Sequence, residues 1–204
     1  MTANELVPGS TASRPLAAFI DATQHAVQEV LDVAEPQAGY LAIARLSGHL
    51  AAMWRAVYPS ADGQSGADGP LRAVCLSRAR EVERTLRLLE CQLSGAAFAV
   101  GRPVTSVPTL LAQQLASYRS AEQALVTAVE DQLAIDGREK LAREYGHALR
   151  RAPTRPHPWC PRSGPLCHLA FWLRSRWDRL LDTVDARPGA GRDFPVQLPH
   201  GCKG

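Results

Sequence analysis

Glu122 is the residue of this sequence whose position most suggests chemistry. A helix is predicted over residues 108–135, and at about 100° per residue its apolar side chains fall on one face. That face comprises Leu111, Leu115, Tyr118, Leu125, Val126 and Val129. Glu122 falls in the middle of the face, one turn after Tyr118. Because a lone buried carboxylate is unfavourable unless it is paired or bound to metal, we expect Glu122 to be a metal ligand or half of a buried ion pair.

Arg78 is the partner that the ion-pair alternative requires. Another helix is predicted over residues 71–94. Its mostly apolar side chains recur in a stripe at spacings of three and four, which is typical of a bundle seam. The stripe comprises Leu71, Cys75, Arg78, Val82, Leu86, Leu89 and Leu93. An Arg78–Glu122 pair would neutralise the carboxylate without a metal. The residues alone leave open whether Glu122 binds a metal, with Tyr118 beside it, or forms a structural ion pair with Arg78.

Two histidines lie on helices that could face this carboxylate. His49 falls at the edge of the apolar face of the helix predicted over residues 37–58, with Met53 one turn later. It is therefore a candidate metal ligand from a second helix. His25 lies on the polar face of the helix predicted over residues 15–35, so we do not expect it to point inward.

Two further patterns supply ligand types at less suitable spacing. Glu144 and His147 have the i, i+3 spacing of metal-binding bundles, but His147 points away from the apolar side of its helix. His157, Cys160 and Cys167 are residue types that zinc prefers, although their spacing is not that of a zinc finger. A zinc site at these three residues and free, reduced thiols are the two alternatives.

The elements that must position these residues are helices. Long amphipathic segments with mostly short connections and little strand-like alternation predict an all-α protein, an antiparallel four-helix bundle. The predicted bundle helices cover residues 15–35, 37–58, 71–94 and 108–135, and a short extra helix covers 136–151.

The distribution of proline divides the chain into four parts. Residues 1–14 are expected to be disordered, and residues 15–151 to form the helical bundle. Prolines are too dense after residue 152 for a helix interior, so residues 152–185 are expected to form a Pro-rich arm and a C-terminal amphipathic helix packed on the bundle. Residues 186–204 are rich in glycine and proline and are expected to be a flexible tail.

Composition excludes several classes of function. The chain has 204 residues, of which 46% are hydrophobic and 21% charged, as in ordinary folded domains. A net charge of +3 is too small to indicate nucleic acid as a partner. No apolar run approaches the roughly 18 residues of a membrane span, and the N-terminus lacks the pattern of a secretion signal. We therefore expect a cytoplasmic protein without integral membrane association, and leave open an unknown protein partner.

Three segments resemble the hemerythrin-like (HHE cation-binding) proteins, in the form common among actinobacteria. GHLAAMWRAVYP (48–59) resembles the family segment His-Leu-x-x-x-Glu-x-x-x-Tyr-Pro. LASYRSAEQALVTAVEDQL (115–133) resembles its His-x-x-x-Glu helix, and APTRPHP (152–158) resembles a segment that often closes these domains. The order and spacing of the three segments agree with the family over most of residues 15–185.

The resemblance implies a four-helix bundle that holds a non-haem di-iron centre and serves oxygen binding, redox or nitric oxide response, or iron handling. Position by position, His49 matches the family's second-helix histidine, and Glu122 its fourth-helix glutamate. Met53 stands where the family has glutamate, and Tyr118 where it has histidine. In the family another histidine often follows the Pro-His-Pro of the closing segment, and in this sequence that position is Trp159.

These departures leave fewer ligands than two iron ions need. We therefore expect a degenerate site of Glu122, His49 and Tyr118, with its non-haem iron depleted or absent. Such a protein would act in binding, in redox or oxygen-related sensing, or in regulation, and we lean away from an enzyme. The alternatives are a non-haem di-iron oxidase or oxygenase, and a metal-free helical protein-interaction module.

Overall fold

The computed structural model describes residues 14–31, 36–62, 68–95, 106–156 and Arg176. Within these residues the secondary structure is helical and contains no strand, which confirms the all-α prediction at this level. The helices are α1 (Pro15–Leu31), α2 (Pro36–Ala52), α3 (Tyr58–Asp62), α4 (Asp68–Leu93), α5 (Ser106–Gln132) and α6 (Ile135–Arg150). No helix among the described residues is long and apolar enough to span a bilayer.

The helix ends follow from local sequence. α1 begins at Pro15, a residue suited to the first turn because its missing N–H would be unsatisfied there in any case. After α4 the chain turns at Gly95, whose φ of 74° is a left-handed conformation that glycine adopts without strain. α6 starts after the extended residue Ala134, with Asp136 in its first turn, where an acidic side chain is favoured by the helix dipole.

α5 runs antiparallel to both α1 and α4. The N–H of Leu16, at the start of α1, donates to Glu130 near the end of α5. On α4, Thr85 donates to Gln114 in the first half of α5 at 2.6 Å. α2 packs against α1, α4 and α6, so its inner face meets side chains from several helices. The core between them includes Leu16, Phe19, Ile43, Leu50, Val82, Leu86, Leu125 and Leu141.

α2 is joined to α3 by a π-helical turn, Met53–Val57. The N–H of Tyr58 bonds to the carbonyl of Met53, five residues earlier, as expected for a π turn. The sequence predicted that the helix stops at Pro59, but this was wrong, since α3 includes Pro59. A proline ring clashes with the carbonyl four residues earlier, and the wider π turn moves that carbonyl out of register.

The seam of α4 differs from the predicted stripe. Arg78 is exposed and donates to Glu81 at 3.0 Å, whereas Glu122 is fully buried, so the structure does not form the Arg78–Glu122 pair. The buried seam consists of Cys75, Ala79, Val82 and Leu86. Arg78 and Ala79 satisfy the helical spacing equally well. The small alanine allows close helix packing, whereas the guanidinium remains in water beside Glu81.

The beginning of the Pro-rich segment folds back on the helices. Ala152, Pro153 and Pro156 are buried, and Arg155 Nη1 lies 3.7 Å from Glu90 Oε1 on α4. The remainder of the predicted arm and C-terminal helix, apart from Arg176, lies outside the described residues. So do the zinc alternative of His157, Cys160 and Cys167, the predicted tail over 186–204, and residues 1–13 of the predicted disordered N-terminus.

Candidate functional site: a buried polar cluster

Two ionisable side chains meet inside the protein, between α2 and α5. His49 Nε2 lies 2.7 Å from Glu122 Oε1, and each side chain is 1% exposed. The sequence placed His49 at the edge of its apolar face, whereas the structure buries it completely. The imidazole satisfies a carboxylate that would otherwise be unfavourable in the core. Glu122 is therefore paired with His49 and not with Arg78.

Tyr118 brings a third polar atom to the same point. Its hydroxyl donates to Glu122 Oε1 at 2.8 Å and lies 3.4 Å from His49 Nε2. Burial, followed by the nearby charge of Glu122, raises the pKa of Tyr118 well above its ordinary value. The phenol therefore stays protonated in this arrangement and serves as a hydrogen-bond donor. The three residues named as metal ligands from the sequence are thus brought together.

Two residues that sequence reasoning did not select complete the arrangement. Tyr145 on α6 places its hydroxyl 2.6 Å from His49 Nδ1. Gln24 on α1 donates its amide to Glu122 Oε2. Partners on both ring nitrogens fix the orientation of the imidazole. His49, Glu122, Tyr118, Tyr145 and Gln24 are called the core polar cluster below.

A tyrosine and a cysteine extend this polar region toward α3 and α4. The Tyr58 hydroxyl lies 3.5 Å from Cys75 Sγ and is also hydrogen-bonded to Tyr118. Burial raises the pKa of the Cys75 thiol to about 12 and that of Tyr58 well above its ordinary value. Both groups are therefore neutral around physiological pH, and neither adds a charged ligand.

A cleft between α1 and α5 reaches the core polar cluster from the surface. Its volume is about 340 Å³, and Gln24 and Glu122 both line it. The exposed residues Arg14 and Asp21 also line the cleft, so its mouth is in solvent. A second cavity beside His49 has a volume of about 10 Å³, close to the space that one water molecule needs. The cluster is thus buried but lies next to a solvent-connected space.

Three donor atoms of the cluster lie at separations close to those between ligands of one metal ion. His49 Nε2, Glu122 Oε1 and the Tyr118 hydroxyl are separated by 2.7, 2.8 and 3.4 Å. Ligands about 2.1 Å from one ion lie about 3.0–3.4 Å from each other at octahedral or tetrahedral angles. Two of the three separations are shorter than this range, so His49 and Tyr118 would each have to move slightly away from Glu122 Oε1 around an ion.

The same residues do not fit two ions. Among the described residues, no group of three or more His, Cys, Asp and Glu side chains is close enough to hold a metal. Met53, at a position where the hemerythrin-like pattern has a glutamate, is fully buried and fills volume in the apolar core. Within the described residues, a di-iron centre would therefore lack both the ligands and the negative charge that it requires.

The other candidate residues lie at the surface. His25 is 77% exposed and lies 3.4 Å from Glu29, as its position on the polar face predicted. Glu144 and His147 are also exposed. The structure therefore brings none of these three residues to the core polar cluster.

A second buried carboxylate on α5 was not recognised from the sequence. Glu130 is fully buried, its Oε1 accepts the N–H of Leu16 at 2.9 Å, and its Oε2 has no hydrogen-bond partner among the described residues. Burial raises the pKa of Glu130, although the N–H groups of Leu16 and Ala17 partly offset this effect. The missed signal was its position two turns after Glu122, directly next to the apolar residue Val129.

Comparisons with known proteins do not identify the chain. No protein-family model, curated protein or solved structure matches it. The hemerythrin-like resemblance therefore remains a prediction. The function has to be inferred from the chemistry of the core polar cluster.

Proposed function

We propose that this chain is a hemerythrin-like helical bundle whose metal centre is reduced to a single-ion site formed by His49, Glu122 and Tyr118. It acts in binding, sensing or regulation. The observation that carries this proposal is the convergence of three donor atoms from α2 and α5 within 3.4 Å of one another in the protein interior.

The donor set suits non-haem iron. Imidazole, carboxylate and phenol oxygen are ligands that iron accepts, and a bound iron ion supplies redox chemistry and a binding position for a small molecule. Ligands must be deprotonated to bind a metal, so uptake is coupled to loss of the Tyr118 proton. Burial keeps this proton on the phenol, and metal binding has to release it. The metal affinity should therefore increase as the pH rises.

Tyr145 prepares His49 for either state of the site. Its hydroxyl can donate a hydrogen bond to Nδ1 or accept one from Nδ1–H, so the 2.6 Å contact is compatible with both tautomers. With Nδ1 protonated, the lone pair of Nε2 points toward Glu122 and is available to an ion. Tyr145 is therefore a positioning residue, and removing its hydroxyl should weaken metal affinity by about 10–100-fold.

The cleft between α1 and α5 supplies access. It reaches the Glu122 carboxylate beside Gln24, whose amide is bonded to Oε2. Movement of the Gln24 side chain would break this bond and free the oxygen on the side that faces the cleft. The cluster can therefore be reached without unfolding of a helix.

Binding or regulation is favoured over oxidase chemistry by the supply of ligands. A di-iron oxidase or oxygenase needs at least one more inward His, Asp or Glu beside His49 and Glu122. The described residues provide none within this cluster. The di-iron alternative thus has no structural support in this part of the chain.

One observation favours a metal-free interaction module as the second candidate. Within the core polar cluster, both nitrogens of His49 and both oxygens of Glu122 already have protein partners. A polar network with these contacts is stable without an ion. The helical bundle would then serve as a scaffold for a protein partner.

Equilibrium dialysis of metal-stripped protein against iron(II), under anaerobic conditions, tests the proposal. We expect one ion per chain, lost in Glu122→Gln and His49→Gln. The matched control is Glu130→Gln, which changes another buried glutamate on the same helix and should retain the ion. Equal binding by wild type and Glu122→Gln would place the metal elsewhere. No binding by the wild type would overturn the proposal in favour of the metal-free module.

A further inference from the structure

A concave surface groove between α6 and the π turn carries an excess of positive charge. Its volume is about 500 Å³. Among the described residues, the polar side chains that line it belong to Arg55, Lys140, Arg143, Glu144, His147 and Arg150. Among these lining residues Glu144 is the single acid. We call this feature the basic groove, and it shares no residue with the core polar cluster.

The basic side chains of α6 form one stripe. Lys140, Arg143, His147 and Arg150 follow each other at spacings of three and four, so they project from the same face of the helix. Lys140 and Arg143 are 74% and 61% exposed. His147 and Arg150 lie in the last turn of α6, where the helix dipole favours cations, whereas Lys140 and Arg143 lie outside that turn.

Lys140 and Arg143 each have an acidic neighbour that pairs with them only weakly. Glu144 Oε1 lies 3.9 Å from Lys140 Nζ, and Glu139 Oε2 lies 3.5 Å from Arg143 Nη1. Both are long contacts between exposed side chains, which contribute little to stability and are easily exchanged. A stronger anion could therefore replace either glutamate at little cost.

The π turn provides a second wall with its own cation. π turns are rare in proteins, and many of those that are found lie at functional sites. The turn carries Arg55, which is half-buried and lines the groove opposite the α6 stripe. Cations on two separate elements thus surround one concavity, unlike the charges on an ordinary solvated helix face.

We propose that the basic groove binds a linear oligophosphate, either inorganic or the phosphate chain of a nucleotide. From Lys140 to Arg150 the stripe spans about 15 Å at about 1.5 Å per residue, which exceeds the reach of a single phosphate. Guanidinium groups bind phosphoryl oxygens in pairs, and Arg55 and Arg143 provide such groups on the two walls. The groove volume lies within the range of small-ligand sites.

Calorimetric titration of the full-length protein tests this site, with orthophosphate, pyrophosphate, triphosphate and ATP at one fixed ionic strength. We expect affinity to increase with the number of phosphoryl groups. Arg143→Ala and Lys140→Ala should each weaken triphosphate binding by about tenfold or more, as loss of a charged hydrogen bond implies. Equal affinities for triphosphate and ATP would identify inorganic chains as sufficient, and tighter ATP binding would identify a nucleotide. Both results support the proposal.

The controls are Arg80→Ala and Arg84→Ala, which remove exposed cations of α4 and change the net charge by the same amount. They should bind triphosphate like the wild type. Equal losses in the groove and control variants would reduce the effect to overall charge and overturn the proposal. So would triphosphate binding no tighter than orthophosphate. Tighter binding of an RNA or DNA oligomer through Arg143 would also overturn it, in favour of a nucleic-acid surface.

Discussion

The contact between His49 and Glu122 makes the sharpest energetic prediction. In metal-stripped protein, Glu122→Leu deprives His49, Tyr118 and Gln24 of their common acceptor. His49→Leu likewise removes one of the two partners of Glu122 Oε1, the other being Tyr118, and one partner of the Tyr145 hydroxyl. Because each single variant leaves buried polar groups unsatisfied, both should destabilise the fold strongly.

The size of the effect follows from these lost contacts. Breaking one side of a buried pair costs about 3–5 kcal/mol. The double variant removes both members, so the penalty for an unpaired partner is not counted twice. Tyr118, Gln24 and Tyr145 have still each lost one hydrogen-bond partner, so part of the destabilisation remains. We therefore expect the double variant to be more stable than the sum of the two losses by about 2 kcal/mol.

Urea unfolding followed by tryptophan fluorescence measures these free energies. If the leucine variants do not fold, His49→Gln and Glu122→Gln retain similar volume and complete the same cycle. Arg78→Met combined with the same Glu122 variant is the control, and those losses should add within about 0.5 kcal/mol. Additive losses for His49 and Glu122, or coupling between Arg78 and Glu122, would refute this reasoning.

Three further perturbations test the surrounding core. Because burial raises the pKa of Glu130 above its ordinary 4.5, the folded protein binds that proton more tightly than the unfolded chain. The resulting stabilisation is complete below the unfolded-state pKa and is lost as the pH rises through the folded-state pKa. The stability of the wild type relative to Glu130→Gln should therefore fall with rising pH in a series of urea titrations, and a flat difference would contradict this. Cys75, with a pKa raised to about 12 by burial, should resist iodoacetamide in the native protein, whereas the half-buried Cys91 should react. Peptide mass spectrometry would show this, and faster labelling of Cys75 would contradict its burial. Leu125→Ala should lower the free energy of unfolding by about 2–5 kcal/mol, because Leu125 is fully buried. A loss below about 1 kcal/mol would mean that this part of α5 is loosely packed.

Helical periodicity was sufficient to predict the elements and the most important buried carboxylate. α1 begins at the expected residue, Pro15, and α6 begins within one residue of its predicted start. Glu122 is fully buried in α5, where the apolar stripe placed it. These predictions succeed because long amphipathic helices carry a strong, repeated signal in the sequence.

Finer features depend on packing that one-dimensional periodicity does not contain. The π turn shifts the register after Ala52, so the helix continues past Pro59. Arg78 and Ala79 fit the seam spacing equally, and only the contact between helices selects the smaller residue. The hydroxyl of Tyr145 lies on an apolar face, where nothing in the sequence distinguishes a hydrogen-bonding tyrosine from one that fills space.

Metal content is the most direct test of the single-ion site. The measurement uses mass spectrometry and the visible spectrum of protein produced in iron-replete cells and purified without an affinity tag. We predict one ion per chain in the wild type and in Glu130→Gln, and none in the variant that combines His49→Gln with Glu122→Gln. An iron-to-chain ratio of two with an oxo-bridge absorption band, or the absence of metal from the wild type, would contradict the account.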